Sequence, residues 1–443
     1  MKKFISAALC AAMILSMAAV SVSADSFTLT RSKRPYSSFH SQNKEEITAL
    51  YTVSQPQTPE EIDEQYAYHQ ENQTPEAFLQ SLQSFGAKTA SMLLGEGTAN
   101  QTYSPVSFVY ALGILGSGAQ GSTQQNIVKA LEADSMTEVS EGLHKFYLSN
   151  YHDEENNALK IANSLWMQND YSFHSSFAKN AAQDFYASSY SVDFKKQETA
   201  DAMAKWISEQ TGGLLNPIFE PNPDQVLSII NTLYFTGSWT NSFQAENNMI
   251  DKFTLADGTQ MDVTYMTQEL TGSSYYQTGK YTMVKLPFEN GQTMNFVLPA
   301  EGASLSSLLD EETLTQILEE QPEESVNYAD VTVRVPKFSF DTEFNLNETC
   351  ESLGLEELFD GSADLSGIAD GDVAVSDVKQ ESHIEIDENG CKAAAYTKMD
   401  IMKMSLPIEM EKYIFSLDRP FLFVIESQDD APLFVGTVYQ PAE

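Results

Sequence analysis

The order of the secondary-structure patterns along the chain constrains the fold more than any other feature. Apolar residues recur at helical spacing from Phe78, and helical patterns dominate as far as about residue 215. Strand-length apolar runs dominate afterwards, beginning with "VLSIINTLYF" at 226–235, which predicts a buried strand. Because helices precede strands without a strand–helix–strand rhythm, we predict an α+β fold with no internal repeat.

Three local patterns refine this prediction. The residues at 74–76, Thr-Pro-Glu, are typical of a helix N-terminus, with a capping hydroxyl, a proline in the first turn and an acid near the dipole. The run at 331–340 alternates, and Pro336 within it indicates a break or bulge between strands. Two apolar runs near the end, 421–427 and 432–438, predict a buried antiparallel hairpin.

The N-terminus has the features of a secretory signal peptide. Two lysines precede an apolar stretch at 4–20, and small residues lead up to a cleavage point after Ala24. The apolar stretch is short for a membrane span and no second one follows, so we predict that residues 1–24 are removed and the protein is secreted into the extracellular space. The polar segment 25–73 is predicted to be a flexible arm before a domain at 74–443.

The mature chain is strongly acidic. Without the two signal lysines it holds 63 acidic and 23 basic residues, a net charge of about −40 with neutral histidines. This charge disfavours nucleic acid and membrane partners, and it suits either solubility outside the cell or attraction of a cationic partner. Cys350 and Cys391 do not form a disulfide framework, so we expect both to be free and the stability to come from a large core.

Local motifs of catalytic and metal sites are missing from the sequence. It has no G-x-S-x-G elbow, no H-E-x-x-H and no Walker loop, and none of its six histidines has a second histidine or a cysteine at metal-ligand spacing. His383 lies in the alternating stretch "SHIEID" and is interpreted as a structural strand residue. A triad of residues distant in sequence would leave no such motif. The patterns that are present indicate no enzyme, no cofactor and no metal.

One stretch combines the pattern of a strand with the boundaries of a loop. From Gly390 to Pro407 it reads "GCKAAAYTKMDIMKMSLP". Its odd positions hold small or apolar residues, namely Cys391, Ala393, Ala395, Thr397, Met399 and Ile401. Its charged residues Lys392, Lys398 and Asp400 fall on even positions. The alternation predicts a half-buried strand, whereas the glycine and proline indicate a loop. An ordinary sheet strand with one exposed face is the simplest interpretation.

Several separated blocks together resemble the serpin family. They are "NQTYSPVSFVYALGILGSGAQGST" at 100–123, "INTLYFTGSW" at 230–239, "VPKFSF" at 335–340, "DENGCKAAAYT" at 387–397 and "DRPFLFVI" at 418–425, in family order across residues 74 to 441. The resemblance implies three β-sheets, eight to nine helices and an exposed reactive loop. It also implies inhibition of serine proteases, which form an acyl-enzyme with the loop and are trapped when the cut loop inserts as a strand.

The resemblance gives roles to particular residues. The hinge of the loop consists of Glu388, Gly390, Cys391, Ala393, Ala394 and Ala395. After insertion, the interior face of the new strand would hold Thr397, Met399 and Ile401. The region where the sheet opens contains Ser104, Asn231, Trp239 and Gln380. Two residues depart from the common family pattern: Cys391 replaces a Thr or Ser, and Gln380 replaces a histidine. A changed hydrogen-bond network is therefore expected around Gln380.

The hinge favours an inhibitor over a non-inhibitory binding or storage member, because its glycine and alanines offer no steric block to insertion. The family spacing from Glu388 puts the reactive bond at Met404–Ser405. A thioether fills an apolar pocket, which favours elastase-like, chymotrypsin-like or subtilisin-like targets. Cleavage after Lys403 by a trypsin-like protease is the alternative.

The expected partner is therefore a serine protease, above all a basic elastase-like enzyme, and the inhibitor is expected to be a monomer. Heparin-responsive serpins carry a lysine–arginine cluster near the helical region that corresponds to 136–160. This sequence has no such cluster there, so heparin is not expected to accelerate inhibition.

Overall fold

Two large β-sheets with helices packed on and between them make up the described part of the chain. The computed structural model describes residues 28–30, 71–95, 97–154, 156–319, 325–371, 373–375, 378–391 and 410–441. The helices within these residues are α1 (Glu76–Leu94), α2 (Pro105–Gly118), α3 (Gly121–Ala130), α4 (Met136–Asn150), α5 (Ser175–Asp184), α6 (Gln197–Gln210), α7 (Glu311–Leu318), α8 (Asn347–Ser352) and α9 (Glu357–Asp360). None of them is long and apolar enough to span a membrane.

The first sheet, called the main sheet below, carries the region of interest. Its strands, numbered in chain order, lie in the sequence β1 (Thr28–Thr30), β5 (Ala187–Val192), β4 (Ala158–Gln168), β6 (Leu227–Ser238), β14 (Gly390–Cys391), β13 (Lys379–Ile386) and β12 (Phe338–Asn345), with β3 (His152–Asp153) beside β4. Strands β4 and β5 are parallel and the other pairs are antiparallel.

The second sheet is bent and has two sections. Its order is β15 (Lys412–Ser416), β11 (Val326–Pro336), β8 (Gln260–Gln277), β9 (Tyr281–Pro287), β10 (Thr293–Pro299), β16 (Phe421–Glu426), β17 (Pro432–Val438) and β2 (Gln101–Tyr103), with β7 (Met249–Thr254) beside β8. The 18-residue strand β8 belongs to both sections. The expected second and third sheets are therefore joined through β8, and the predicted α+β class is confirmed.

The prediction that helical patterns dominate up to residue 215 is wrong in one part. Strands β4 and β5 lie inside that region. Most residues of β4 are buried at both odd and even positions, because the helical core covers one face and α6 the other. A strand that is buried on both faces loses the period-two alternation by which strands are recognised.

The other local predictions agree with the structure, except for the capping role of Thr74. The run at 226–235 forms β6, Pro336 ends β11 before β12 begins, and the two C-terminal runs pair as β16 and β17. Helix α1 begins at Glu76 after Pro75, but Thr74 does not cap it, since its hydroxyl hydrogen-bonds Ser149 Oγ at 3.1 Å.

Helix α2 is the centre of the core. It packs against β6 of the main sheet and β17 of the second sheet, and 12 of its 14 residues are buried. Ser104 caps its N-terminus by accepting a hydrogen bond from the Ser107 amide at 3.3 Å. A helix between two sheets must be apolar nearly all round, which its sequence satisfies.

Helix α6 covers the opposite face of the main sheet. Its residues Met203 and Trp206 pack in a separate apolar cluster with Trp166 of β4 and Tyr190 of β5. Trp166 stacks on Tyr190 with ring centroids 4.4 Å apart. The centre of the main sheet is therefore enclosed on both faces.

Candidate functional site

The candidate site is a gap in the main sheet between β6 and β13. Within the described part of the chain, these two strands are joined only through β14, whose two residues pair with β6 on one side and β13 on the other. Below β14 the described residues of β6 and β13 share no ladder of their own, and a cavity of about 320 Å³ lies there. Among the residues that the structure describes, no strand fills this position below β14.

The cavity reaches both layers that enclose the main sheet. Leu112 and Leu115 of α2 line it on the core side, and Met203 and Ile207 of α6 line it on the other. Ile229 of β6 lies at its edge. Between these two layers its lining is apolar, which suits the apolar side chains of a strand, whereas charged residues such as Glu220 and Glu381 also border the cavity.

A polar network crosses beneath the gap through the N-terminus of α2. Gln380 of β13 accepts a hydrogen bond from the Ser104 amide at 2.7 Å and donates one to the Ser104 carbonyl at 2.9 Å. The side chain is nearly fully buried, with 7% of its surface exposed. The Gln380 side chain therefore hydrogen-bonds both the amide and the carbonyl of Ser104, the residue that caps α2.

The network continues on the β6 side. Ser107 of α2 donates to Asn231 Oδ1, the Asn231 amide donates to Asn163 Oδ1 of β4 at 2.7 Å, and the Asn163 amide donates to the Phe185 carbonyl at 2.7 Å. The edges of the gap, β6 and β13, are thus both tied to the first turn of α2. This arrangement holds the two strands in fixed positions although they do not pair with each other.

The upper end of the gap is closed by the start of the hinge. Gly390 pairs with Ser238, and Cys391 pairs with Gly237 of β6 and Ile386 of β13. Gly390 has φ of +152°, and a Cβ on it would lie 1.9 Å from the Gly237 carbonyl oxygen. Only glycine fits this approach of two backbones.

Cys391 fills the first position of the missing strand. It is 4% exposed, and burial raises the pKa of its thiol to about 12. Cys350 of α8, the other free cysteine among the described residues, is fully buried, and burial raises the pKa of its thiol to about 12 as well. Both side chains are therefore neutral thiols that pack as small apolar groups.

Glu388 anchors the hinge just above the sheet. Its carboxylate lies 2.7 Å from Lys337 Nζ and accepts a hydrogen bond from the side-chain amide of Asn248 at 2.5 Å. Its backbone carbonyl accepts a hydrogen bond from the backbone amide of Phe243 at 3.0 Å. Burial by itself would raise the pKa of Glu388. The hydrogen bonds from Lys337 and Asn248 outweigh burial and hold this pKa below its usual range.

Trp239 holds the other side of the hinge. Its indole donates to the Asp387 carbonyl at 3.0 Å and its amide donates to the Asn389 carbonyl at 2.8 Å. The ring is buried and stacks on Phe288, with centroids 4.5 Å apart. Backbone hydrogen bonds and aromatic packing thus fix the chain that enters β14.

The structure groups the predicted residues into two places. Ser104, Asn231 and Gln380 belong to the network beneath the gap, whereas Trp239 lies at the hinge with Glu388, Gly390 and Cys391. Gln380 forms paired contacts with Ser104, and the expected difference from a histidine at this position stays a prediction. The predicted residues Ala393, Ala394, Ala395, Thr397, Met399, Ile401, Met404 and Ser405 lie outside the described residues.

Sequence reasoning missed four residues of the site. Lys337 and Asn248 bind Glu388, and Ser107 and Asn163 extend the network from Asn231. Ser107 was within reach of the sequence, because it follows the capping Ser104 by three residues and so shares its end of α2. Lys337, Asn248 and Asn163 carry no local signal.

Comparisons with known proteins agree with this geometry. The family model described as "Serpin (serine protease inhibitor)" matches residues 80–441. Human neuroserpin is 29% identical over 360 residues, which is 77% of this chain and 86% of neuroserpin.

Solved structures share the fold. The thermophilic serpin tengpin in its native state superposes with a TM-score of 0.73 at 26% identity, covering 83% of this chain and 95% of tengpin. Thyroxine-binding globulin in complex with thyroxine superposes with a TM-score of 0.70 at 23% identity, covering 82% of this chain and 99% of the globulin. At that lower identity the likeness to the globulin shows the fold alone.

Proposed function

The chain belongs to the serpin family, and from this premise we propose that it is a secreted inhibitor of serine endopeptidases. It acts as a suicide substrate rather than as an enzyme. The protease cleaves the loop at Met404–Ser405, remains bound to Met404 as an acyl-enzyme, and is trapped when the loop enters the gap between β6 and β13. The observation that carries the proposal is the open strand position below β14.

The register of β14 supports this insertion. Gly390 and Cys391 pair with Ser238 and Gly237, so a strand continued downward in the same register brings Thr397 opposite Asn231 of β6. On the other side, the pairing of Cys391 with Ile386 brings the same Thr397 opposite Gln380 of β13. The sequence-predicted interior residue would therefore meet the two edges of the gap where the polar network lies.

The facing of the inserted side chains follows from these partners. Asn231 and Gln380 both point toward α2, so Thr397 between them would point the same way. The same register puts Met399 opposite Ile229 and Val378, which line the cavity. Neighbouring Lys398 would lie on the opposite face, because successive strand residues alternate.

The length of β6 supports translocation of the protease. Its 12 residues, Leu227–Ser238, match loop residues 390–401 in this register. Met404 then lies past the lower end of β6, and the 13 residue steps from Cys391 to Met404 span about 43 Å of strand. A protease bound to Met404 would be carried from one end of the main sheet to the other.

The target class follows from the reactive bond. Methionine before the cut favours elastase-like, chymotrypsin-like or subtilisin-like proteases with apolar specificity pockets. The acidic charge of the chain favours a basic protease among these, since complementary charge speeds association. Inhibition of a basic elastase should therefore slow as salt rises, whereas a near-neutral protease should respond less. Heparin should leave both rates unchanged.

The experiment is a panel of serine proteases incubated with the secreted protein. We expect a complex with an elastase-like enzyme that survives boiling in detergent, and a cut at Met404–Ser405 in the mapped peptide. Met404→Arg should redirect inhibition toward trypsin-like proteases, whereas Lys403→Gln should leave elastase inhibition unchanged. A complex that depends on Lys403 would favour the trypsin-like alternative. Cleavage without any stable complex would make the protein a non-inhibitory binding or storage member.

Secretion is tested separately from inhibition. The protein recovered from the culture medium should begin at Asp25, because the signal peptide ends at Ala24. Retention of the full-length chain in the cell would contradict this part of the proposal.

A further inference from the structure

The two sides of the main sheet differ in how their outer strands are protected. On one side the sheet ends at β12, which carries the exposed acids Asp341 and Glu343. On the other side β5 has the sequence "ASSYSV", with no charged residue and no proline. Edge strands commonly carry charges or prolines, because their unpaired N–H and C=O groups otherwise pair with a strand of another chain. The sequence of β5 lacks this protection.

A segment of the N-terminal arm covers the outer side of β5. Residues Thr28–Thr30 form β1, which runs antiparallel to β5 with Thr28 opposite Tyr190 and Thr30 opposite Ser189. The register shifts between these two pairs. Helix α5 lies next to both β1 and β5. Among the described strands, β1 is therefore the outermost strand on this side of the main sheet.

Strand β5 offers a fixed backbone for this pairing. It is parallel to β4 over its whole length, and its Val192 carbonyl accepts a hydrogen bond from the Asn169 amide at 2.8 Å. Tyr190 stacks on Trp166 of β4, and Ser189 is fully buried. The N–H and C=O groups on the outer side of β5 are thus held in the positions that an added strand requires.

The position of β1 in the sequence favours pairing within one chain. From Thr30 to the start of α1 at Glu76 there are 46 residue steps. A covalent connection keeps two segments at an effective concentration on the order of millimolar, which exceeds that of a second copy in dilute solution. A strand of three residues forms only a few hydrogen bonds, so its pairing with β5 depends on this connection.

We propose that residues 25–30 of the mature chain act as an intramolecular edge strand that prevents β5 from pairing with an extended segment of another copy. The backbone of β1 occupies the outer N–H and C=O groups of β5, so a second chain finds none of them free. This role keeps the protein monomeric, and it does not depend on the proposed inhibition of proteases.

The first test compares the mature chain with a variant that lacks residues 25–30. Hydrogen exchange should show that the β5 amides facing β1 exchange roughly fivefold to tenfold faster in the variant, which is the effect of losing about one net hydrogen bond. The amides of β4, which lies between β5 and β6, should keep their rates and serve as the internal control. Light scattering should show a monomeric parent and a variant that associates as its concentration rises.

A second variant leaves the length of the arm unchanged. Thr28→Pro combined with Thr30→Pro removes two backbone N–H groups from β1, so it should reproduce both effects of the deletion. Ser41→Pro makes the same chemical change in the arm outside β1 and should leave exchange and mass at the parent values.

A charge on the edge strand provides the rescue. Ser188 of β5 is half-buried, and Ser188→Lys in the shortened chain should restore the monomer without slowing the exchange of β5, because a lysine on an edge opposes strand addition. Parent exchange rates in the shortened chain would overturn the pairing of β1 with β5. A shortened chain that stays monomeric at all concentrations would overturn the protective role. A parent dimer that the deletion converts to monomers would indicate exchange of arms between copies and overturn the intramolecular assignment.

Discussion

The two ends of the gap in the main sheet are held in different ways. At the upper end, Gly390 and Cys391 pair with both neighbouring strands, and Glu388 is bound by Lys337. Below them β6 and β13 border a cavity, and among the described residues they are connected through the first turn of α2. Gly390 and Cys391 thus form the first two residues of a strand between β6 and β13, and the positions below them could accept the residues that follow.

This difference indicates why the position stays open. The segment that could fill it is fixed at Cys391 in the main sheet and at Lys412 in β15 of the second sheet. We expect that a segment anchored at both ends does not extend along β6 and that cleavage at the proposed bond Met404–Ser405 frees one end. The following predictions test this contrast between a closed upper end and an open lower end, from the largest expected effect to the smallest.

Thr397→Arg should have the largest effect, because it acts on the lower end during insertion. The register brings residue 397 between Asn231 and Gln380, where an arginine would be buried without a partner at a cost of several kcal/mol. Insertion slows about tenfold for each 1.4 kcal/mol, so hydrolysis overtakes trapping. The variant should be cut at the same bond yet release active protease, as shown by a stoichiometry of inhibition at least about ten times that of the parent.

Lys398→Glu is the matched control in the neighbouring residue. Its side chain should remain on the outer face, so the stoichiometry should stay near that of the parent. If Lys398→Glu abolishes trapping and Thr397→Arg does not, the predicted facing of the strand is reversed. If neither change matters, insertion itself is in doubt.

Gly390→Ala should disrupt the pairing of β14 with β6 at the upper end of the gap. The new Cβ would meet the Gly237 carbonyl at 1.9 Å with φ at +152°, so β14 should lose its place at a cost of about 2–3 kcal/mol. Cys391 should then react with a thiol reagent under native conditions, while buried Cys350 serves as the internal control in the same peptide map. Gly279→Ala, where nothing lies within 4 Å, should leave Cys391 protected. An unreactive Cys391 in Gly390→Ala would contradict the tight approach of the two strands.

Gln380→Leu should weaken the connection beneath the gap. It leaves the amide and carbonyl of Ser104 without their side-chain partner, which costs about 1–3 kcal/mol. Urea unfolding should report the loss as a lower midpoint. Lys379→Gln, an exposed change on the same strand, should keep the midpoint of the parent, and equal midpoints for the two variants would argue against the network.

Glu388→Gln should have the smallest effect, because the amide keeps part of the hydrogen bonding. We expect a loss of about 1 kcal/mol in the free energy of unfolding. The pKa of Glu388 is lower in the folded state than in the unfolded state, so its stabilisation is complete above the unfolded pKa. This stabilisation is lost as the pH falls through the pKa that Glu388 has in the folded state. The free energy of unfolding of the parent should therefore decrease as the pH falls below the ordinary pKa of a glutamate, about 4.3, and Glu388→Gln should lack this part of the decrease. Equal pH profiles of unfolding for parent and variant would exclude Glu388 as the cause.

Local patterns predicted a large part of this molecule. Alternation predicted β11, β12 and β13, and the apolar runs predicted β6 and the C-terminal hairpin, because burial of one or both faces leaves its period in the sequence. The same alternation in 390–407, together with a glycine and a proline at its ends, predicted a loop with the pattern of a strand, and the family resemblance implied that this strand inserts later. The family resemblance then supplied the roles of the hinge residues, which spacing alone does not give.

The tertiary structure decided what depends on contacts between distant residues. Gln380 and Ser104 are 276 residues apart, and Glu388 and Asn248 are 140 apart, so no local pattern links them. Strands β4 and β5 escaped prediction because α6 covers their outer face and removes the alternation. Likewise, the exposure of Tyr328 and Ile414 on a single face follows from the pairing of β11 with β15, which lies far along the chain. Periodicity in the sequence indicates which face of a helix or strand is buried, but only the assembled sheets determine which residues that face contacts.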